Sequence, residues 1–289
     1  MKIRTFILLS LFLTFSIGAN ENSIFWELES PEGKQIFIFG SIHVDDNRVV
    51  DFSDSVYDAM QKSDLFVSET NNVNNLKALE GLGSEYNKYL SDEDFQKISE
   101  LSDFHSIETD FAIKLKPWLL GFILSSPRAM NPFSQDNLLK VAASNYGLAS
   151  KGLETVDEHY SVLDTLSPED QFQILKNVLN LSEVDKEKNY QLMIKTYLTF
   201  NLNKILNVDE EITKSIVPEK IWSSVKSELI HKRNKLFLNR LLILAKKNVL
   251  FVAVGASHLA GDDGLLQQFF QAGFKKKSLI PFKIKLDDE

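Results

Sequence analysis

Cysteine is absent from the 289-residue chain. That excludes disulfides, a thiolate nucleophile, Cys-type zinc and iron–sulfur sites, and a lipidated N-terminal cysteine. Any metal must be held by imidazoles and carboxylates, and only five histidines are available. Positive charge is in deficit: 32 Lys and Arg stand against 40 Asp and Glu, a net of −8. A chain this acidic has no general attraction to nucleic-acid phosphates or anionic lipid. There is no low-complexity stretch, tandem repeat or long linker. Beyond the N-terminal segment no apolar run approaches the ~20 residues of a membrane span. The longest, Trp118 to Leu124, suits a buried helix. What is there is ordinary for a globular protein, 44% hydrophobic and 25% charged, with length enough for a sizeable core.

The N-terminus reads as an address. Lys2 and Arg4 precede an apolar run from Phe6 to Ile17, followed by Gly18-Ala19. A basic start, a short apolar stretch and a small residue at the end make residues 1–19 a secretory signal peptide cleaved after Ala19. An uncleaved anchor is the alternative. The mature chain, 20–289, is expected to be a single domain, secreted or periplasmic.

Hydrophobic patterning then alternates between strand and helix. Ile24–Leu28 and Gln35–Phe39 flank Ser30-Pro31-Glu32-Gly33, a turn sequence, and predict a β-hairpin. Ser53 to Lys62 predicts a helix with Val56, Ala59 and Met60 on one face. Leu65–Ser68 predicts a strand ending at Glu69, and Leu148–Leu153 another leading into Glu154. Ser91 with Asp94 resembles a capping box. Pro117 and Pro127 interrupt a helical stretch, and Gly147 ends a helix begun near Ser134. Ser167-Pro168-Glu169-Asp170 starts a helix. Long helices are expected over 167–206 and 218–247. Val249–Val254 is a buried strand. Gly261-Asp262-Asp263 opens the next helix, Gly273 closes it, and Phe274–Ile284 holds a last, edge strand with Pro281. The pattern predicts an α/β domain. It has a mixed central sheet, a β-hairpin near the N-terminus, strands at both ends of the chain, and helical inserts over about 72–146 and 167–247.

Two segments resemble each other and carry histidine: Phe37-Ile38-Phe39-Gly40-Ser41-Ile42-His43 and Val252-Ala253-Val254-Gly255-Ala256-Ser257-His258. Each is an apolar strand followed by Gly-x-x-His. The glycine sits where the chain leaves the sheet, where a special dihedral or a close approach is needed. Ligands of open α/β sheets bind beyond the carboxyl ends of the strands. His43, His258, Glu69 and Glu154 therefore converge on one rim. Two imidazoles with one or two carboxylates can hold a divalent metal with a coordination position open. Without metal, a histidine beside a carboxylate can be a general base. The plainer alternative is that both histidines cap strand ends.

The other polar residues read as structural. His105, His159 and His231 are expected at the surface or the core edge. Asp262 and Asp263 are expected as helix-start charges, and Lys275-Lys276-Lys277 as a solvated turn. Arg233 lies on a long amphipathic helix, where a solvated role is the default.

The paired motifs and their surroundings resemble the TraB/GumN family, which belongs with the TIKI proteins, the erythromycin esterases and the haem-binding ChaN proteins in a wider superfamily. The likeness runs from about Phe25 to Phe282. It is carried by Phe39-Gly40-Ser41-Ile42-His43-Val44, Ser68-Glu69, Lys116-Pro117-Trp118, Gly152-Leu153-Glu154-Thr155, Arg233-Asn234, and Val254-Gly255-Ala256-Ser257-His258-Leu259-Ala260-Gly261. The resemblance implies an erythromycin-esterase/ChaN-like fold and a metal-dependent protease site of the TIKI kind, favouring manganese or cobalt. It makes His43 and His258 metal or base residues, Glu69 their carboxylate partner, and Glu154 a second carboxylate. Arg233 would steady a tetrahedral oxyanion. Ser41 departs from the more usual threonine, and His159 stands where glutamine is common.

The expectation is therefore a secreted or periplasmic metal-dependent hydrolase, a peptidase by resemblance, acting on a peptide or small-molecule substrate. Manganese, cobalt or zinc would suit its ligands. The alternative is a non-catalytic haem-, iron- or peptide-binding protein of the same fold.

Overall fold

The computed structural model describes residues 22–71, 76–81, 86–128 and 133–280. The signal-peptide segment, Pro281 and Ile284 lie outside them. Six strands form one mixed sheet: β1 (Phe25–Glu29), β2 (Gln35–Ser41), β3 (Leu65–Thr70), β4 (Ala149–Glu154), β5 (Leu250–Gly255) and β6 (Lys275–Leu279), in the order β4-β3-β5-β2-β1-β6. The chain is thus an α/β protein, as its patterning predicts.

The first two strands form the expected antiparallel hairpin, in register from Phe25 opposite Phe39 to Glu29 opposite Gln35. Gly33 turns it with φ +80°, and its N–H donates to the Ser30 carbonyl at 2.9 Å. β2, β5, β3 and β4 run parallel, so their carboxyl ends share one rim. β5, in the middle, is buried at every residue, as a parallel strand covered on both faces must be. Phe25, Phe39, Phe66 and Phe251 meet across four strands, with ring centroids 5.5 to 5.8 Å apart. Their offset contacts add ~0.5–1.5 kcal/mol per pair beyond area burial.

Helices cover the sheet and extend past its rim. The first group is α1 (Asn47–Val50), α2 (Asp54–Gln61), α3 (Tyr86–Tyr89), α4 (Asp92–Phe104), α5 (Thr109–Ala112), α6 (Pro117–Ser125) and α7 (Gln135–Asn145). The second is α8 (Val156–Tyr160), α9 (Pro168–Leu179), α10 (Glu183–Tyr197), α11 (Leu202–Ile216), α12 (Glu219–Lys226) and α13 (Arg233–Ala245). α14 (Ala256–Leu259) and α15 (Leu265–Gln271) follow β5. The sequence signals work as expected at several ends. Ser91 and Asp94 form the capping box, Pro117 and Pro168 sit in first turns, and Gly147 ends α7 with φ +74°. A second apolar cluster, centred on Tyr86, Leu120, Phe172, Leu175 and Val225, holds α6, α9 and α12 together away from the sheet.

Four expectations need correction. The long helices expected over 167–206 are three, started afresh where the Ser182 and Asn201 side chains accept from backbone N–H groups, and the last runs beyond 206 to Ile216. The helix over 218–247 contains a π-helical turn, Ser227–Lys232, immediately before Arg233. α15 begins after Gly264, so Asp262 and Asp263 precede the helix rather than open it. The Lys275-Lys276-Lys277 run is solvated but is strand, not turn: it pairs with β1 at the sheet edge. No described helix is long and apolar enough to cross a membrane.

Candidate active site

The rim gathers all five side chains singled out in the sequence. Glu69 and Glu154 stand at the ends of β3 and β4, His43 lies just past β2, and α14 carries His258. Gly255 ends β5 between them. Its φ is −51°, so the residue is required by space and not by dihedral. A Cβ there would meet Glu69 Oε1 at 3.3 Å, His43 Nε2 at 3.5 Å and His258 Cδ2 at 3.6 Å. The Gly255 N–H donates to Glu69 Oε1 at 2.7 Å. Glu69 Oε1 in turn stands 3.8 Å from His43 Nε2 and 3.7 Å from His258 Nε2.

Each imidazole is held from behind. His43 Nδ1 donates to Asp136 Oδ2 at 2.6 Å, while Ser41 Oγ donates to Asp136 Oδ1 at 2.5 Å. The neighbouring Gln135, fully buried, accepts from the Ile42 N–H and donates to the Val49 carbonyl. The N-terminus of α7 is thereby clamped onto the first motif. His258 is oriented by a neutral group. Asn234 Nδ2 donates to the Asp263 carbonyl at 3.0 Å, so its Oδ1 must accept from His258 Nδ1, 2.7 Å away. That leaves the His258 Nε2 lone pair facing Glu69 and Arg233.

The two histidines consequently differ. The adjacent Asp136 carboxylate raises His43 to about 10, although the side chain is 63% exposed, which screens the attraction. Burial lowers His258 to about 4, favouring the neutral ring. Burial alone would raise both glutamates. The charge of Arg233, with the two imidazoles and the Gly255 N–H, holds Glu69 well below the ordinary carboxylate range, and His159 with Arg233 lowers Glu154.

Arg233 is the hub. Its Nε and Nη2 donate to the two Glu154 oxygens at 2.9 and 3.0 Å, and Nη2 also donates to Glu69 Oε2 at 2.6 Å. Nη1 makes only long contacts, 3.3 Å to His258 Nε2 and 3.4 Å to the Leu229 carbonyl. The guanidinium lies 5.1 Å from the Phe237 ring centre. The solvated role that its helix suggests is therefore replaced by a buried one. The π turn just upstream is the kind of local register change that recurs at functional sites. His159 is likewise at the site rather than at an ordinary surface: its Nδ1 lies 3.0 Å from Glu154 Oε2. His105 and His231 stay away from this cluster. Lys116, part of the Lys-Pro-Trp signature, bonds the Tyr160 carbonyl and Asp164, fixing α6 beside the rim.

A cavity of about 470 Å³ opens over these groups. Its lining combines polar groups, His43, Glu69, Arg233, His258 and Asp209, with apolar ones, Trp118, Leu119, Phe122 and Leu229 among them. Asp136, Asn234 and Asp209 are missed by sequence reasoning about chemistry. Only Asn234 carries a signal, through the Arg233-Asn234 pair. Among the described residues no group of three or more His, Asp or Glu side chains stands in metal-holding geometry.

The TraB/PrgY/gumN family model matches residues 24–278, nearly the whole chain. No curated protein matches it.

Proposed function

The chain belongs to the TraB/PrgY/gumN family, and we propose that it is a hydrolase of amide or ester bonds working with a divalent metal at this rim. The observation that carries the reading is the approach of His43 Nε2 and His258 Nε2 to the same Glu69 oxygen, Oε1, at 3.8 and 3.7 Å. Both distances are longer than a hydrogen bond, so the three donor atoms face a common space without closing it. The donor chemistry fits. Both rings have Nδ1 engaged by an outer oxygen, the arrangement that turns Nε2 towards a metal. His43, His258 and Glu69 would hold the ion, which supplies a polarised carbonyl and an acidified water.

The chain's own groups do the rest. Asp136 aims His43, and Asn234 keeps the His258 lone pair inward. Glu154 aligns the Arg233 guanidinium, which keeps Glu69 ionised. Arg233 Nη1, with the loosest contacts, is the donor available to a developing oxyanion. The apolar wall excludes water and seats the substrate. Export from the cytoplasm is part of the same proposal, supported by the basic and apolar start of the sequence.

The test is metal content. The purified chain and its His43→Ala/His258→Ala double variant are exposed to manganese, cobalt and zinc, desalted and weighed by native mass spectrometry. One ion retained per wild-type chain and lost in the variant is expected. Retention by neither overturns the metal and leaves Asp136–His43 as a metal-free general-base pair.

A further inference from the structure

We infer that the cavity takes a substrate with a free amine beside an apolar side chain, and that Asp209 receives the amine. This rests on the hydrolase reading only for what happens after binding. Asp209, on α11, lines the cavity, and its Oδ2 accepts from Ser257 Oγ at 2.6 Å. Among the described residues it has no Lys or Arg partner, and Oδ1 receives no hydrogen bond. The charged neighbours it feels are His43 and Glu210, and burial raises its pKa against the pull of Ser257 and the His43 ring.

The remaining charges of the lining point the same way. Arg233 is its one Lys or Arg, and that guanidinium is engaged by Glu69 and Glu154. The one other cation of the lining, the His43 ring, is already paired with Asp136, so a substrate carboxylate or phosphate beside Asp209 would meet like charge, whereas an ammonium finds the Asp209 carboxylate. Trp118, Leu119 and Phe122 of α6, with Val162, Leu229 and Ile230, add apolar surface to the same lining. The volume, about 470 Å³, suits a small ligand and not a folded partner.

Calorimetric titration with leucinamide, N-acetylleucinamide and N-acetylleucine tests this directly. Leucinamide should bind tightest, by about tenfold or more, the size of one charge-assisted hydrogen bond. Asp209→Asn keeps an acceptor for Ser257, so the melting temperature should hold while the gap between the two amides closes. Equal binding of the two amides by the wild type, tighter binding of N-acetylleucine, or no binding overturns the inference. If the variant melts early, the wild-type comparison alone decides. Leucine p-nitroanilide and its acetylated form, offered with manganese, cobalt or zinc, separate the two readings. Binding of leucinamide without turnover of either anilide overturns the hydrolase and leaves the amine site standing. An equal fall in kcat on both anilides in Asp209→Asn makes Asp209 a proton carrier and overturns the amine assignment.

Discussion

Glu69 and Glu154 end neighbouring strands with their carboxylates buried, and one guanidinium compensates both. Removing it leaves two buried carboxylates with only histidines and the Gly255 N–H beside them, a loss of up to ~3–5 kcal/mol, the size of breaking a buried pair. Arg233→Ala is therefore expected to shift the urea midpoint by an amount of that order at neutral pH. Arg233→Lys should recover little, because an ammonium cannot satisfy two carboxylates in the planar fork that Nε and Nη2 provide. Unchanged stability of Arg233→Ala would mean that the glutamates are neutral in the folded protein. Gly255 makes a contrasting case. Its backbone is compatible with alanine, and the added methyl would press against Glu69 Oε1 and His43 Nε2. Gly255→Ala is expected to abolish metal retention while stability changes by less than ~1 kcal/mol, an ordinary size for a tolerated substitution. Full retention of metal by that variant would show that the space between the two imidazoles is not where an ion sits. Much of this is legible in the sequence, for a physical reason: an apolar strand followed by Gly-x-x-His places the ring at the strand's end whatever the rest of the chain does. Asp136 is not legible, because its partner lies 93 positions away and an Asp in the first turn of a helix has an adequate local explanation. Asp209 is hidden in the same way on an amphipathic helix.

Elements carry these residues to the rim, and one pairing between elements is open to acid. Arg240 on α13 grips Glu158 on α8 with two hydrogen bonds, at 2.7 and 2.8 Å, and also donates to the Leu153 carbonyl, one residue before Glu154. Those bonds, with the Thr155 N–H, lower the Glu158 carboxyl from 4.5 to about 2. A carboxyl depressed by folding stabilises the native state above its unfolded pKa. That contribution is lost as pH falls from about 4.5 through about 2. Both side chains are more than a third exposed, so the effect is modest and weakens with salt. Glu158→Gln should flatten the acid limb of stability against pH below about 4.5, read by thermal melts in low-salt buffers. An unchanged limb would mean that the pair does not restrain α8. Element boundaries follow the cap residues closely, as at Ser91, Ser167 and Gly147, because a cap is a local transaction between a side chain and its own helix end. The π turn before Arg233 leaves no such mark. It adds a residue to one helical turn without changing which residue types are favoured, so the long helix expected over 218–247 gives no hint of it.

At the scale of the whole molecule, the carboxyl ends of the strands and the segments just past them supply the candidate metal donors, and the helical insertions supply most of what surrounds them. α6 and the π turn build the apolar wall, α7 aims His43, and α11 brings Asp209. Substitutions in the wall are thus free to change what is bound without disturbing the strands. The topology has a further consequence for how the chain comes into being. β5 is the middle strand of the sheet, yet its residues are 250–255, and without it β2 and β3 share no edge. A nascent chain leaving the ribosome can close the N-terminal hairpin early, but β3 and β4 must wait apart from it until nearly the whole length has been translated. Such late, long-range pairing folds slowly. The polypeptide thus passes through most of its synthesis with its sheet in two halves, which one late strand then joins.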